Sequence, residues 1–131
     1  MTPVFSEKDF QTIHDLIKNQ SVIQQTKEIR FLAEELKRAK VVKDNKIGAD
    51  VVQLNSFVQV QDQGNNNIMD FHIVLPSQAN LNEKKISILA PLGIALIGFK
   101  KGQVVEWQMP AGKKSLKIVE VENSDNLVKV K

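Results

Sequence analysis

Ile86-Ser87-Ile88-Leu89-Ala90-Pro91-Leu92-Gly93-Ile94-Ala95-Leu96-Ile97-Gly98-Phe99-Lys100-Lys101-Gly102 is the stretch whose reading decides the fold. It runs a buried strand, a very short helix and a glycine turn together. Pro91 has φ pre-set for a first helical position, where its missing N–H costs nothing. Gly98 falls where a helix ends in the left-handed region, and Gly102 suits a turn into the next strand. The helix between them is apolar on nearly every side, so it must be covered all round. A curved antiparallel sheet wrapped around a single short helix meets that requirement.

The flanking sequence supplies such a sheet. Val52, Leu54, Val58 and Val60 alternate with Gln53, Asn55, Gln59 and Gln61, a period of two with one polar face. Gln63-Gly64-Asn65-Asn66-Asn67 is a cluster of residues that tolerate positive φ. Met69, Phe71, Ile73 and Leu75 then resume the alternation, which predicts a long hairpin. Pro76 to Lys85 reads as a loop, and Ile86 to Leu89 as a short strand. Val104–Met109 and Leu116–Val121 are predicted to form a last hairpin, turning at Pro110-Ala111-Gly112-Lys113. Asn123 to Asn126 is a polar tail, and Leu127 to Lys131 either adds a strand or frays.

Before Val42 the pattern is helical. Ser6 can cap a first helix, with Glu7 and Asp9 in its positive first turn. Phe10, Ile13, Leu16 and Ile17 form its apolar stripe. The pattern breaks at Asn19-Gln20-Ser21, and Val22, Ile29, Leu32, Leu36 and Ala39 line one side of a second helix. Glu34 and Arg38 stand at the i,i+4 spacing of an ion pair. The reading is an antiparallel helical hairpin over residues 1–47, tipped by Asn19, Gln20 and Ser21, joined through a charged segment ending at Gly48 to a sheet domain over 48–131. The fold class is α+β.

Composition sets the outer bounds. A chain of 131 residues, 42% apolar and 25% charged, has room for one ordinary globular domain and a small appendage. A net charge of +3 gives only mild attraction to polyanions. The absence of cysteine excludes disulfides and thiolate metal sites. The N-terminus has no basic segment followed by a long apolar one, and the run from Leu89 to Phe99 is too short to span a bilayer. A soluble, cytoplasmic protein with no membrane association is expected.

No catalytic constellation stands out. His14 and His72 are the only histidines, and neither has a second ligand at a metal-binding spacing. No serine occupies a nucleophile elbow, and no glycine loop could cradle phosphate. Glu34 and Glu35 are adjacent on a helix and so point to different faces; the tip residues Asn19, Gln20 and Ser21 include no carboxylate that could hold magnesium. No cofactor and no metal are expected. Lys37, Arg38, Lys40, Lys43 and Lys46 form one basic stretch, and Lys100, Lys101, Lys113, Lys114 and Lys117 another. They offer weak contact with nucleic-acid phosphates or an acidic protein surface, or simply keep the surface solvated. Trp107 is the only tryptophan, and it reads as a packing residue rather than a platform for base stacking.

The Ile86–Gly102 segment resembles the C-terminal domain of Gre-type transcription elongation factors through Ile86, Ser87, Pro91, Gly93, Ala95, Leu96, Ile97, Gly98, Lys100 and Gly102. Gln103 replaces a usual aspartate, which would weaken a polar turn contact, and Ala111 replaces the first glycine of a turn. Gre factors that rescue stalled polymerase carry a long coiled coil whose acidic tip holds a catalytic magnesium. The arm here is short and its tip lacks acids, which is similar to the regulator of nucleoside diphosphate kinase branch. The resemblance implies an FKBP-like sheet domain, RNA polymerase as partner near its secondary channel, and contact with the polymerase through Ala90, Pro91, Leu92 and Gly93. It implies a non-enzymatic regulator that competes with elongation factors. The other readings are a peptidyl-prolyl isomerase, which would need an aromatic-lined pocket from Phe57, Phe71, Phe99 and Trp107, and a general protein-interaction module. The oligomeric state is not specified by the sequence.

Overall fold

The computed structural model describes residues 2–19, 26–109 and 112–123. The chain runs through β1 (Val4–Ser6), α1 (Glu7–Lys18), α2 (Lys27–Arg38), β2 (Lys40–Val42), β3 (Phe57–Asp62), β4 (Ile68–Val74), β5 (Lys85–Ser87), α3 (Pro91–Leu96), β6 (Val104–Met109) and β7 (Gly112–Glu122). Five strands form one sheet in the order β5-β4-β3-β7-β6. The sheet is not wholly antiparallel as expected: β5 runs parallel to β4, pairing His72 with Lys85 and Val74 with Ser87. The two 3-10 turns at Pro76–Gln78 and Leu81–Glu83 carry the chain back to enter the edge in the same direction.

The short apolar helix is enclosed as its composition requires. Gly93, Ile94, Ala95 and Leu96 of α3 are buried. They meet Val58, Val60, Phe71, Ile73, Ile88, Val105 and Ile118 in one core. Phe5, Ile13, Leu32 and Leu36 belong to that same core, so the base of the helical arm is packed on the sheet region rather than merely tethered to it. Burying a side chain such as Phe5 contributes roughly 1.5–3 kcal/mol.

Caps define the helices. Asp9 N–H donates to Ser6 Oγ at 3.1 Å, and Ile29 N–H donates to Thr26 Oγ1 at 3.1 Å. Arg38 pairs with Glu35 at 2.8 Å rather than with Glu34, and Glu34 pairs with Lys37 at 3.3 Å. The i,i+3 partners lie as near as the i,i+4 one on a helix face. Asn19 caps α1, its N–H donating to the Asp15 carbonyl at 3.0 Å; Gln20, Ser21 and Val22 lie outside the described residues.

The hairpin base carries a feature absent from the helical pattern: β1 and β2 pair in parallel, Val4 with Lys40 and Ser6 with Val42. Strands of three residues are too short for their period to be read. The β3 alternation also begins later than predicted. Val51 and Val52 are buried, but the chain turns at Gln53–Ser56, with Asn55 at φ +72 and Gln53 N–H donating to Ser56 Oγ at 2.7 Å. Turn formation by Asn55 and Ser56 outweighs the apolar alternation through Leu54. β7 is longer than predicted, and its turn residues Pro110 and Ala111 lie outside the described residues.

Candidate functional site

The loop from Ser87 to Gly93 leaves the sheet edge and starts α3. Ile88 N–H donates to the Val74 carbonyl at 2.7 Å, which ends the pairing with β4. Ser87 then folds the chain over itself: its Oγ accepts from Leu89 N–H at 3.0 Å and its carbonyl from Ala90 N–H at 3.0 Å. Pro91 opens the helix with Ala90 in the extended cap position, and Ile94 N–H donates to the Ala90 carbonyl at 3.0 Å.

The four residues singled out from sequence do not share one environment. Ala90, Pro91 and Leu92 are half-buried, with Leu92 packed against the core. Gly93 is buried, and a Cβ there would stand 2.6 Å from the Ser87 carbonyl oxygen. Its glycine is therefore explained by the close approach of helix and strand. A docking surface built on this loop consists of Ala90, Pro91 and Leu92, with Gly93 setting their position.

At the other end of α3, Gly98 has φ +87, and a Cβ there would stand 2.8 Å from Pro3 Cβ. Val4 N–H donates to the Gly98 carbonyl at 2.8 Å, so the arm's first strand is strapped across the end of the helix. A second tether was not legible in the sequence. Asp9 is buried, and its Oδ2 accepts from Leu54 N–H at 3.0 Å. A first-turn acid is ordinarily explained by the helix dipole, which hides such a role. Gly102 has φ +93 and is the third residue of the turn closed by Gln103 N–H donating to the Lys100 carbonyl at 3.1 Å. Gln103 does not weaken that turn: its Oε1 accepts from Lys100 N–H at 2.9 Å.

Some of the charged groups are paired. Lys101 meets Glu120 at 3.3 Å, Lys113 meets Glu106 at 3.7 Å and Lys114 meets Asp62 at 2.9 Å. The Lys114 ammonium and the Gly64 N–H hold the Asp62 carboxyl below its ordinary pKa. Lys40, Lys43, Lys46, Lys100 and Lys117 are exposed and have no ion pair among the described residues. His14 lies 3.7 Å from Asp15, and His72 packs edge-on to Phe57 at 5.4 Å. Among the described residues no group of three or more His, Cys, Asp or Glu converges as a metal site would. No helix among them is long and apolar enough to cross a membrane. Asn123, read from sequence as polar tail, is buried: its Nδ2 donates to the Ala49 carbonyl at 2.8 Å, and its Oδ1 accepts from Ser56 Oγ.

Fold and loop together define an α+β protein in which two helices stand on a curved sheet that encloses a third. Residues 47–123 match the family model "Transcription elongation factor, GreA/GreB, C-term". The chain is 41% identical over 86 residues to transcription elongation factor GreA of Clostridium novyi, covering 66% of this chain and 54% of that protein. It is 34% identical over 117 residues to the GreA of Thermoanaerobacter pseudethanolicus, covering 89% of this chain and 74% of the relative. A solved structure, the prokaryotic transcription elongation factor GreA/GreB from Nitrosomonas europaea, superposes with a TM-score of 0.77 at 31% identity, covering 94% of this chain and 99% of the other. The chain belongs to the GreA/GreB family. It spans about half the length of the Clostridium novyi relative.

Proposed function

We propose that this chain is a non-enzymatic bacterial regulator of transcription elongation. It binds RNA polymerase near the secondary channel and competes there with other elongation factors, without stimulating transcript cleavage. The observation that carries the reading is the arm. Its two helices have 12 residues each, and the connection from Asn19 to Thr26 contains no Asp or Glu. Twelve residues reach about 18 Å at the helical rise. Magnesium needs hard oxygen ligands, chiefly carboxylates, and this tip supplies none. The flanking acidic residues, Asp15 and Glu28, stand within α1 and α2 outside the Asn19-Gln20-Ser21 tip. The donor set does not fit a metal at the tip, so no step is routed through one.

In this reading residues 1–47 form the arm that enters the channel, and residues 48–131 form an FKBP-like domain that docks on the polymerase. Ala90, Pro91 and Leu92 provide the contact. The short, acid-free arm favours the regulator of nucleoside diphosphate kinase branch of the family over the cleavage factors. The exposed Lys40, Lys43 and Lys46 add weak attraction to nucleic-acid phosphate. Such a regulator works in the cytoplasm, where polymerase is.

Support comes from the names of the relatives, which are transcription elongation factors. The test is capture of purified core polymerase at micromolar concentration. Binding is expected, and Ala90→Arg, which places a long charged side chain on the loop surface, is expected to weaken it about tenfold with an unchanged unfolding midpoint. Failure of the unaltered chain to bind at that concentration overturns the reading.

A further inference from the structure

The strand β6 ends the five-stranded sheet on the side away from β5. Strand edges of soluble proteins are usually blunted by shortness, by lysine or by proline. β5 follows that rule: it has three residues, begins with Lys85 and is bridged by Asn80. β6 does not follow it. It has six residues, Val-Val-Glu-Trp-Gln-Met, with no lysine and no proline.

The ladder shows which backbone groups of β6 have no partner among the described residues. Ile118 N–H donates to the Gln103 carbonyl at 2.9 Å. Antiparallel pairs alternate between bonded and non-bonded, so Val105 and Trp107 spend their backbone groups on β7. Val104 and Glu106 turn theirs to the open edge. Val104 is 43% exposed.

Beside that edge, between β6, α2 and α3, lies a slot of about 200 Å³. Phe31, Ile94, Ile97, Phe99, Val105 and Trp107 supply its apolar wall, and Glu35, Arg38 and Glu106 supply charged groups beside it. Phe31 is 42% exposed and meets the Trp107 ring edge-on at 4.8 Å. Trp107 Nε1 is buried and has no acceptor among the described residues. A buried donor left without an acceptor is destabilising, and a bound oxygen would relieve that cost.

We propose that the β6 edge and this slot form a docking site for an extended segment of a partner protein. The segment pairs its backbone with Val104 and Glu106 as an added strand. Its side chains on the inner face enter the slot and are apolar, and an oxygen of the segment accepts the Trp107 Nε1–H. On the outer face, a basic residue opposite Glu106 would share its carboxylate with Lys113, which lies 3.7 Å away across the β6–β7 pair. A second copy of this chain centred on Glu106 would set two carboxylates face to face and bring an indole donor where an acceptor is needed. The observations therefore favour a different chain. None of Ala90, Pro91 and Leu92 lines the slot, and the proposal does not depend on polymerase binding there.

Trp107 is the sole tryptophan, so its indole signal reports on the slot without interference. The probe is the peptide acetyl-Thr-Leu-Lys-Leu-Thr-amide, titrated into the full chain while the indole N–H resonance and the fluorescence maximum are followed. A saturable downfield shift and a blue shift are expected below several millimolar. The same peptide methylated on its lysine backbone nitrogen is expected to bind about tenfold more weakly, because the ladder bond to Glu106 is lost. Glu106→Pro, which removes an edge N–H and no bond to β7, is expected to do the same, and Phe31→Ala to weaken binding several-fold. An indole unmoved at several millimolar peptide overturns the proposal. So does equal binding of the methylated peptide, which needs no variant to fold. An indole shift that tracks protein concentration alone, with dimer mass in sedimentation, assigns the edge to a second copy and also overturns it.

Discussion

Between Ile88 and Phe99 every residue is buried or half-buried, whereas along the arm's helices only Asp9, Ile13, Ile29, Leu32 and Leu36 are buried among the described side chains. The first segment is held by fixed backbone geometry: a proline at the helix start, a glycine against a carbonyl, and a glycine at positive φ at the helix end. The arm is held by one face of each helix and by a few bonds at its base, Val4 to Gly98 and Leu54 to Asp9. The two regions thus differ in how they are held, which predicts unequal responses to substitution.

The largest effect is expected at Gly93. Gly93→Ala drives a methyl into the Ser87 carbonyl, and backbone cannot yield as a side chain can. A loss of about 3 kcal/mol or more is expected, seen as a fall of roughly 10 °C in the unfolding midpoint. Gly98→Ala combines positive φ with a 2.8 Å contact at Pro3 Cβ, so about 2 kcal/mol is expected. Its signature should differ: amide exchange in Val4–Ser6 and Lys40–Val42 should rise more than in β3 and β7. Equal acceleration everywhere would break the distinction between strapped arm and packed core.

Asp9→Ala removes the acceptor for Leu54 N–H and is expected to cost about 1 kcal/mol. Asp9→Asn keeps an acceptor oxygen and should cost less. The smallest effect is electrostatic. The Asp62 carboxyl is held below its ordinary pKa by Lys114 and Gly64. A depressed pKa adds stability that is complete above the unfolded value and fades as pH falls through the folded one. Unfolding of the unaltered chain should therefore weaken more steeply below about pH 4 than that of Asp62→Asn. Parallel acid limbs would show that the pair contributes nothing to folding.

The fixed-geometry segment was the legible one. Pro91 fixes φ at a helix start, and Gly98 and Gly102 permit the positive φ that a helix end and a tight turn need, so the helix, its end and the next turn follow from residue type alone. Ser6 as a cap and the Val58–Val60 and Phe71–Ile73 faces were legible for the same local reason. What escaped depends on chain meeting chain. Asn55 breaks an alternation that favoured a longer strand. Three-residue β1 and β2 carry too little pattern to be seen, and the parallel entry of β5 depends on the loop before it. The slot joins Phe31 to Trp107, residues from different elements that no local spacing connects. At the candidate site, sequence located the loop but could not separate the half-buried Ala90, Pro91 and Leu92 from the buried Gly93.

The most direct test of the account adds the purified chain to a backtracked polymerase complex with magnesium, alongside an authentic cleavage factor. The account predicts that nascent RNA keeps its length with this chain alone, and that increasing amounts of it suppress shortening by the cleavage factor. Magnesium-dependent shortening by this chain alone would contradict it.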